Sequence, residues 1–582
     1  MEHLLKNRLE WILESQNLLA KTQFGFRKGL GTLDSLGVIT TDIRTALAKG
    51  EYLVGVFLDV ASAYDNVLLP VLRHKMLQLS IPPRLTNFIC NLLSPRSVLV
   101  KTNSLSLPPR TVWNGLPQGS VLSPLLYNIY TFDLELSVVS FSNILQYADD
   151  IALYYSSKSM EEISNRLNSA LYYLGIWLTD HGLSLSVDKC KAVIFTRKTA
   201  VDIPVLVFED QHISIADKIK FLGVYLDSRL NGVAHVDYVS QKCERGINIL
   251  RALSGVWWGA HPYTQKLLYN AIVRSHIDYG LFVLDPINKL ALQKLNKLQY
   301  KSLRIILGAM KSSPTIALQV ECVDPPIHLR SQYLSDRFIC KVLQLSSHPL
   351  LDKLYRLSVN LKRTQLPTCL LKSYLKFTSL PHPILSSPSH PIFSSSFNGL
   401  IYQPSIIINL GINKRTVEAD IKFRNIINDN WQDTLIIYTD ASKLSVGGCV
   451  GASCWVPKFN ISLQYKCPPE TSVFTGESIA ILEAINFVEI HNIRHTLILT
   501  DSLSCLQAIK DNPFRSKVRV SVVFRIREVL YSCHRKGLSI TLAWIPGHSG
   551  IVGNETADAF AKQAVEIGTL SHYANHAHDL RL

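Results

Sequence analysis

The chain has 582 residues, with 60 Lys and Arg against 45 Asp and Glu, a formal net charge of +15 and 47% hydrophobic residues. This composition excludes a disordered polar chain, which would hold too few apolar residues to build a core. It also excludes a small disulfide-bonded secreted domain, because the 11 cysteines are sparse. They form no C-x-x-C pair, so no zinc site is predicted. At roughly 100–200 residues per domain, the length predicts about three or four domains.

The positive charge is unevenly distributed. Residues 1–433 carry a net charge of +13, whereas residues 434–567 carry only +2. The first part therefore favours a nucleic acid partner, gripped through several phosphates and released by salt, with a merely solvated basic surface as the alternative. No apolar run reaches the roughly 18–20 residues that cross a bilayer, and no signal-peptide pattern opens the chain, so no membrane partner is expected.

Two apolar segments of the first part end in acidic residues. Residues 52–60 predict a buried strand with Asp59 near its end, and residues 144–155 predict two strands that meet in a turn at Asp149 and Asp150. Adjacent carboxylates repel each other and are costly to bury, so they favour a bound cation. If the strands are neighbours, the three acids converge on a pair of Mg²⁺ ions suited to phosphoryl transfer. A plain surface turn is the alternative for an isolated Asp-Asp pair.

The middle of the chain predicts helices and then a linker. Helical periodicity runs through 240–345, and a basic amphipathic helix is predicted around 292–306, either as a solvated face or as a grip on nucleic acid. Residues 378–397 hold seven Ser and four Pro, which cannot sustain a helix or a central strand.

An α/β domain is predicted after this linker. Its expected strands are 434–439, 446–456, 496–500 and 539–545, and its expected helices are 477–490 and 554–566. Four acids lie on four of these elements with apolar flanks, and their mutual repulsion again calls for divalent cations: Asp440, Glu477, Asp501 and Asp558. His548 lies in a glycine-bracketed loop, where it could move a proton, although an inconsequential loop histidine is the alternative. Glu555 fits better as a charge that stabilises a helix N-terminus.

Six stretches follow one another over about 200 residues in a characteristic order. They are Gln23–Arg27, Phe57–Val67, Gly115–Pro124, Tyr147–Asp150, Gly182–Lys189 and Phe221–Val224. Their order and spacing resemble the reverse transcriptases of non-LTR retrotransposons, above all the jockey-type elements. Residues 434–567 resemble type 1 ribonuclease H at all four acids and at the histidine loop.

The resemblance implies an α+β right-hand polymerase palm with a helical thumb-like region, followed by an α/β ribonuclease H-like domain. The expected divisions are 1–230 for the palm with partial fingers, 231–345 for the thumb-like region, 346–433 for the connection and linker, 434–567 for ribonuclease H and 568–582 for a tail.

The resemblance also implies residue roles. The first acid group, formed by Asp59, Asp149 and Asp150, would hold two Mg²⁺ or Mn²⁺ ions. The second acid group, formed by Asp440, Glu477, Asp501 and Asp558, would hold two more, with assistance from His548. Tyr64 would lie beneath the incoming sugar and exclude a 2′-hydroxyl, although core packing would explain it too. Four further residues would bind the nucleotide: Gln118, Gly119, Lys189 and Arg27. Phe221, Leu222 and Gly223 would form the primer grip.

The implied function is RNA-directed DNA polymerase with hydrolysis of RNA in RNA–DNA hybrids. The implied partners are an RNA template, a DNA primer, the hybrid and dNTPs, in the cytoplasm or nucleus. The family's basic fingers stretches and its endonuclease would precede Gln23, so the sequence, which opens at Met1, is expected to be N-terminally truncated. A polymerase-inactive nucleic-acid-binding remnant, with ribonuclease H activity or with none, is therefore the alternative. A host maturase-like protein is disfavoured by the ribonuclease H segment.

Overall fold

The computed structural model describes residues 1–582 with the exception of 100, 103–105, 200–201, 256, 361–366, 382–383, 389, 413–418, 445–447, 516–520, 571–578 and 580–582. The chain divides into two compact units. The first unit comprises 1–339 and 348–376, and the second comprises 340–347 and 377–582.

The first unit combines a central sheet with many helices. Its strands are β1 Tyr52–Asp59, β2 Arg96–Val98, β3 Arg110–Val112, β4 Asn143–Tyr147, β5 Asp150–Ser157, β6 Lys191–Phe195, β7 Val207–Phe208, β8 Gln211–His212, β9 Ser214–Ile215, β10 Lys218–Phe221 and β11 Val224–Asp227. Its helices are α1 Glu2–Ser15, α2 Thr32–Lys49, α3 Leu69–Gln78, α4 Pro83–Leu93, α5 Ser123–Tyr130, α6 Leu134–Val138, α7 Met160–Asp180, α8 Val233–Ala252, α9 Pro262–Tyr269, α10 Ser275–Asp278, α11 Lys289–Leu307, α12 Thr315–Glu321, α13 Ile327–Leu343, α14 Pro349–Asn360 and α15 Cys369–Thr378.

The central sheet has the strand order β4-β5-β1-β6-β9. β1 pairs antiparallel with β5 on one side and with β6 on the other, and its interior residues are all buried. Val54, Val56 and Leu58 alternate along β1 and share one hydrophobic core with α7. The predicted strands at 52–60 and 144–155 are confirmed, and the pairing of β1 with β5 places their acidic ends at one edge of the sheet.

The helices that follow the sheet have a core of their own. Residues of α8, α9, α11 and α12 form this separate buried cluster, which includes Val239, Leu295 and Leu303. On α11, the predicted basic amphipathic helix, Lys294 and Lys301 form ion pairs with Asp237 and Glu244 of α8. Two of its lysines therefore pair with acids of a neighbouring helix, while the choice between a solvated face and a grip on nucleic acid stays a prediction.

Part of the segment expected to be a connection belongs to the first unit. His348, which precedes α14, is buried and contacts the carboxylate of Asp34 on α2, with 3.1 Å between Nε2 and Oδ1. Lys353 of α14 forms an ion pair with Asp42 of the same helix α2. These contacts fix α14 against α2.

The second unit is built on a seven-stranded sheet with the order β12-β17-β16-β13-β14-β15-β18. Its strands are β12 Ser405–Ile407, β13 Leu435–Ser442, β14 Val450–Val456, β15 Ile461–Cys467, β16 His495–Thr500, β17 Ser539–Trp544 and β18 Thr569–Leu570. Its helices are α16 Phe397–Ile401, α17 Ala419–Asn430, α18 Val473–Ile490, α19 Leu503–Lys510, α20 Ser521–Arg535 and α21 Val552–Ile567.

This sheet consists of a block of parallel strands followed by a block of antiparallel strands. β13, β16, β17 and β12 are mutually parallel, whereas β13, β14 and β15 pair antiparallel. α18 is buried on almost every face, because it packs against the sheet on one side and against α20 on the other. The strands and helices predicted for 434–567 are present, although α18 begins at Val473, four residues earlier than expected. β14 begins at Val450 instead of 446, and residues 446–447 lie outside the described residues.

The predicted linker and the predicted tail are only partly described. Among the described residues of 379–396, the regular structure is a single 3₁₀ turn at Pro391–Ser394, consistent with the Ser and Pro content. Most of 568–582 lies outside the described residues. In the part of the chain that the structure describes, no helix combines the length and apolar character needed to span a bilayer.

Candidate active sites

The acidic ends of β1 and β5 bring the first acid group together. Asp59 and Asp150 are direct cross-strand partners, and Asp149 lies in the two-residue turn between β4 and β5. Burial, with added repulsion from Asp149 and Asp59, raises the pKa of Asp150 from 3.8 to about 6. A carboxyl that resists ionisation beside two others is the electrostatic signature of a site that gains from a cation.

The turn that carries Asp149 is held by a buried side chain that lies 125 residues earlier than Ala148 in the sequence. Ala148 precedes Asp149 and has a φ of 56°, in the left-handed region that few non-glycine residues adopt. Gln23 Oε1 accepts a hydrogen bond from the Ala148 N–H at 2.9 Å, and Gln23 Nε2 donates to the Ala148 carbonyl at 3.3 Å. Gly25 completes the brace, since a Cβ there would lie 2.4 Å from Ala148 N.

Tyr64 lies beside this group. Its ring stacks on Tyr127 with 5.0 Å between ring centroids. Burial and, secondarily, the Asp149 carboxylate raise the pKa of Tyr64 to about 12, so the phenol stays neutral. The Leu116 N–H donates to the Tyr64 carbonyl at 2.8 Å, and this anchors the loop that continues to Gln118 and Gly119.

That loop is exposed and shaped by glycine. Gly119 has a φ of 91°, and a Cβ at this position would meet nothing within 4 Å. Gln118 Nε2 lies 3.5 Å from both carboxylate oxygens of Asp65. The backbone at Gly119 is therefore open to a ligand, and only glycine takes this conformation without strain.

The two basic residues predicted at the nucleotide have different surroundings. Lys189 Nζ lies 3.1 Å from Asp59 Oδ2, on a side chain that is 70% exposed. Arg27 instead pairs with Glu14 at 2.8 Å and donates to the carbonyls of Ala20 and Gln23. Lys189 thus lies at the first acid group, whereas Arg27 braces α1, and a contact of Arg27 with a nucleotide stays a prediction.

The predicted primer-grip residues form the turn of a hairpin. β10 and β11 pair antiparallel, and Leu222 and Gly223 between them have φ values of 45° and 82°. Two successive positive φ angles are typical of the tight turn that joins two antiparallel strands. The Tyr279 hydroxyl donates to the Leu222 carbonyl at 2.7 Å, and Phe221 packs on Phe57 with 5.1 Å between ring centroids.

The second acid group is assembled from strands and helices of the second unit. Asp440 lies within β13, Glu477 on α18, Asp501 directly after β16 and Asp558 on α21. Carboxylate oxygens of Asp440, Glu477 and Asp501 all lie within 4.8 Å of one another. The parallel pairing of β13 with β16 brings their C-terminal ends side by side, which is why the two aspartates meet.

Burial and mutual repulsion make it unfavourable for Asp440, Glu477 and Asp501 to be ionised at the same time. Burial first, and then Asp501, raise the pKa of Asp440 from 3.8 to about 7. Burial and Asp440 raise the pKa of Glu477 as well, and a hydrogen bond joins the two carboxyl groups. Glu477 Oε2 is buried and lacks a hydrogen-bond partner among the described residues. An orphaned buried oxygen beside two further carboxylates fits a divalent cation, which prefers oxygen ligands.

Asp501 is held by residues that the sequence analysis did not assign. The Asn554 side chain donates a hydrogen bond to it, and a Cβ at Gly547 would lie 2.3 Å from its Oδ2. Trp544 Nε1 donates to the Asp501 carbonyl at 3.0 Å. Asn554 and Gly547 both flank His548 in sequence, and only their position in the fold reveals that they contact the acid.

His548 and Asp558 form a second cluster with Glu555. One ligand atom of each lies within 4.8 Å of the others. Glu555 also accepts a hydrogen bond from the Gly550 N–H at 3.3 Å, and Asp558 pairs with Lys562 at 2.6 Å. The bond to Gly550, which lies just before α21, is consistent with the predicted role of Glu555 as a charge at the N-terminus of this helix.

An open cleft of about 440 Å³ leads to two acids of the second group, Glu477 and Asp501. Glu477, Asp501, Trp544, Gly547 and His548 line it. A phosphodiester entering this cleft would meet carboxylates on its floor and an exposed imidazole at its rim, an arrangement that suits hydrolysis by a cation-assisted water.

Two segments of the chain match known families. Residues 1–226 match the family described as "Reverse transcriptase (RNA-dependent DNA polymerase)", and residues 432–566 match the family described as "RNase H". The second match begins three residues before β13 and ends within α21, so it encloses the whole second acid group.

Relatives of known name cover most of the chain. The RNA-directed DNA polymerase from mobile element jockey of Drosophila melanogaster is 28% identical over 361 residues, covering 60% of this chain and 38% of that protein. Its Drosophila funebris counterpart is 28% identical over 382 residues, covering 65% and 41%. Ribonuclease H1 of Homo sapiens is 25% identical over 146 residues, covering 23% and 51%.

The chain spans about two fifths of the length of the jockey proteins that it matches. The order of its two domains agrees with the predicted order. The chain is therefore a relative of the jockey-like non-LTR retrotransposon RNA-directed DNA polymerases, with a reverse transcriptase domain first and an RNase H domain after it.

Proposed function

We propose that this protein hydrolyses the RNA strand of RNA–DNA hybrids in its second unit and extends a DNA primer on an RNA template in its first. The observation that carries the proposal is the convergence of Asp440, Glu477 and Asp501 within 4.8 Å around a buried, unpartnered carboxylate oxygen. Such a group is costly unless a cation joins it, and it lies in a cleft open to a polymer.

In the second unit, Asp440, Glu477, Asp501 and Asp558 would hold two Mg²⁺ or Mn²⁺ ions. When bound, these ions would activate water and neutralise charge that develops on the phosphodiester. The chain's own residues do the remaining work: Asn554 and Gly547 orient Asp501, and His548, at the rim of the cleft, can deliver a proton to the departing oxygen.

Replacing Asp440 by Asn tests this activity. The variant keeps the volume of the side chain but loses a charged ligand, so Mg²⁺-dependent cleavage of an RNA–DNA hybrid should fall by a factor of at least about 10³. The exposed Asp511→Asn on the same unit serves as the matched control and should cleave normally. Cleavage by Asp440→Asn at the parental rate would overturn the assignment.

In the first unit, Asp59, Asp149 and Asp150 would hold the ions of the polymerase palm. Asp149 would be the direct ligand of the shared ion, and Asp150 would support the second site or the primer end. Lys189, now paired with Asp59 at 3.1 Å, would be released by a cation to contact the triphosphate. Tyr64, neutral and stacked, would form the floor beneath the sugar, and the Leu222–Gly223 turn would hold the primer.

Primer extension tests this second activity separately. Mg²⁺-dependent addition of dNTPs to a DNA primer on an RNA template should occur in the parent and be lost in Asp150→Asn. The Asp440→Asn variant is the control, because it should extend primers while failing to cleave hybrids. A parent that cleaves hybrids but extends nothing would favour the polymerase-inactive alternative.

A further inference from the structure

A second open cleft lies in the first unit, outside both acid groups. It has a volume of about 620 Å³, and α3, α4 and the residues after β3 enclose it. Leu69 and Leu77 supply apolar surface, Arg73 and His74 supply polar groups from α3, and Trp113 forms a wall. A volume of this size suits one or two ring systems.

Trp113 is exposed in a way that packing does not require. Its side chain is 64% exposed, although tryptophan is among the largest apolar groups that a fold can bury. Its backbone is nevertheless well fixed: β3 ends at Val112, and Arg96 donates to the carbonyls of Asn114 at 2.6 Å and Gly115 at 2.8 Å. The indole is thus a flat aromatic surface presented to solvent on an ordered strand end.

The residues that line this cleft include Arg73 and no acid. Between Asp65 and Asp133 the sequence contains no Asp or Glu at all, yet it holds six Lys and Arg. One of these, Lys75, is buried against Asp133, and the others lie on the helices and strands around the cleft or in the loop between β2 and β3. An acid-free stretch of this length repels cationic partners and attracts a polyanion.

We propose that this cleft binds a single-stranded nucleic acid, with an unpaired base stacked on Trp113 and an adjacent phosphate held by Arg73. Arg73 is exposed, and among the described residues its guanidinium makes one hydrogen bond, to the Asn87 side chain at 3.2 Å, so donors remain for a phosphate. An unpaired strand fits better than a duplex, because a duplex hides the faces of its bases within the stack.

The site extends the proposed function without depending on catalysis. Gly115, whose carbonyl Arg96 holds, leads directly into the exposed loop at Gln118 and Gly119. A strand seated on Trp113 would therefore lie next to the loop predicted to receive the nucleotide, as a template strand must before it is copied. Binding can be measured without divalent ions, when neither catalytic activity operates.

The probe is a short fluorescein-labelled oligoadenylate RNA, titrated with the full chain in chelator and followed by fluorescence anisotropy. Trp113→Ala should weaken binding about 5- to 150-fold, the effect typical of one lost base–aromatic stack. Trp113→Phe should restore most of the affinity, because it keeps an aromatic face. Arg73→Gln should reduce the slope of log affinity against log salt by about 0.7, as for one lost phosphate contact.

Tyr172→Ala is the matched control, since Tyr172 is 66% exposed on α7 and lies outside the cleft. It should bind the RNA as the parent does. Binding of a blunt duplex of equal length should change less than twofold in Trp113→Ala. The proposal is overturned if Trp113→Ala binds the single strand within twofold of the parent, if Trp113→Phe is as weak as Trp113→Ala, or if Tyr172→Ala or duplex binding shows the same loss.

Failure of the proposed function would look different. Catalysis is read by primer extension and hybrid cleavage with Mg²⁺, whereas the cleft is read by anisotropy in chelator, so the two proposals can fail separately. A parent protein that shows neither primer extension nor hybrid cleavage, but binds the oligoadenylate in a Trp113-dependent way, would refute the catalytic proposal. The same result would support the proposal that the cleft binds single-stranded nucleic acid.

Discussion

Gln23 and Ala148 are joined by two hydrogen bonds, one in each direction, although 125 residues separate them. The amide of Gln23 therefore satisfies both backbone groups of the residue that precedes Asp149. Gln23 is itself buried, so these bonds are shielded from competition by water. The position of the Asp149 carboxylate thus depends on a side chain near the start of the chain.

Gln23→Leu should impair polymerisation more than its distance from the acids suggests. Leucine fills a similar volume but leaves the Ala148 N–H and carbonyl buried without partners. Each unpaired group lowers the free energy of unfolding by about 1–3 kcal/mol. We expect the primer-extension rate to fall at least tenfold, with hybrid cleavage unchanged. Gln16→Leu, the same substitution at an exposed position, is the control and should extend normally. Equal extension by the two variants would show that the brace is dispensable.

Gly547→Ala should disturb the second acid group by contact. The added methyl would lie 2.3 Å from Asp501 Oδ2, so the carboxylate or the loop must move. Half-maximal hybrid cleavage should then need a higher Mg²⁺ concentration. At a fixed Mg²⁺ concentration, the cleavage rate should fall at least tenfold. A Mg²⁺ titration of cleavage measures both. Gly537→Ala, at a positive φ with open space around it, controls for the general cost of replacing a glycine and should leave the Mg²⁺ requirement unchanged.

Asp440→Asn should stabilise the metal-free protein at alkaline pH. The pKa of Asp440 is about 7 in the fold against 3.8 as its ordinary value, because of burial and Asp501. The folded chain thus holds a proton that the unfolded chain has released, so the free energy of unfolding declines as pH rises from about 4 to about 7. Asparagine removes the contribution of Asp440 to this decline, while Glu477 and Asp501, whose pKa values are also raised by burial, keep theirs.

Thermal melts in chelator measure this effect. At pH 8 the second unit of Asp440→Asn should melt a few degrees above that of the parent, and the difference should shrink towards pH 5. Added Mg²⁺ should raise the melting temperature of the parent but not of the variant, since only the parent retains the full ligand set. A variant that melts below the parent at pH 8 would mean that Asp440 contributes a favourable ionised contact instead.

Arg527→Leu should loosen the segment before the predicted ribonuclease H boundary. Arg527 is buried on α20 and donates to the backbone carbonyls of Leu400, Tyr402 and Ile509. Burial lowers the pKa of its guanidinium to about 10. Leucine would leave three carbonyls without this donor, and limited proteolysis should then cut near 397–407 more rapidly. Arg535→Leu, exposed at the end of the same helix, should digest as the parent does.

The sequence was sufficient for the parts of the fold that depend on local pattern. Apolar runs identified β1 and the β4–β5 hairpin. The pattern after residue 434 identified β13, β14, β16, β17, α18 and α21 but not β15, α19 or α20. Asp59, Asp149, Asp150, Asp440 and Asp501 stand out the same way, because a charged residue at or near the end of a buried strand is unusual wherever it occurs. Glu477 and Asp558 lie on helices and were identified by their apolar flanks and by the resemblance.

The missing parts depend on contacts between distant residues. Gln23 was noticed as part of a motif, but nothing in its neighbourhood indicates that it binds Ala148. Likewise, the engagement of Arg27 with Glu14 follows from the direction of α1, which no local pattern specifies. β12 was missed because three residues are too few for a periodicity.

β12 has a practical consequence for anyone who wishes to isolate the ribonuclease H domain. This three-residue strand covers the outer side of β17, whose six residues are largely buried. A fragment cut at residue 434, where the sequence alone sets the boundary, would leave a row of unpaired N–H and carbonyl groups at an apolar edge. Such edges recruit other chains and precipitate, so a fragment beginning before α16 should stay monomeric where the shorter one aggregates.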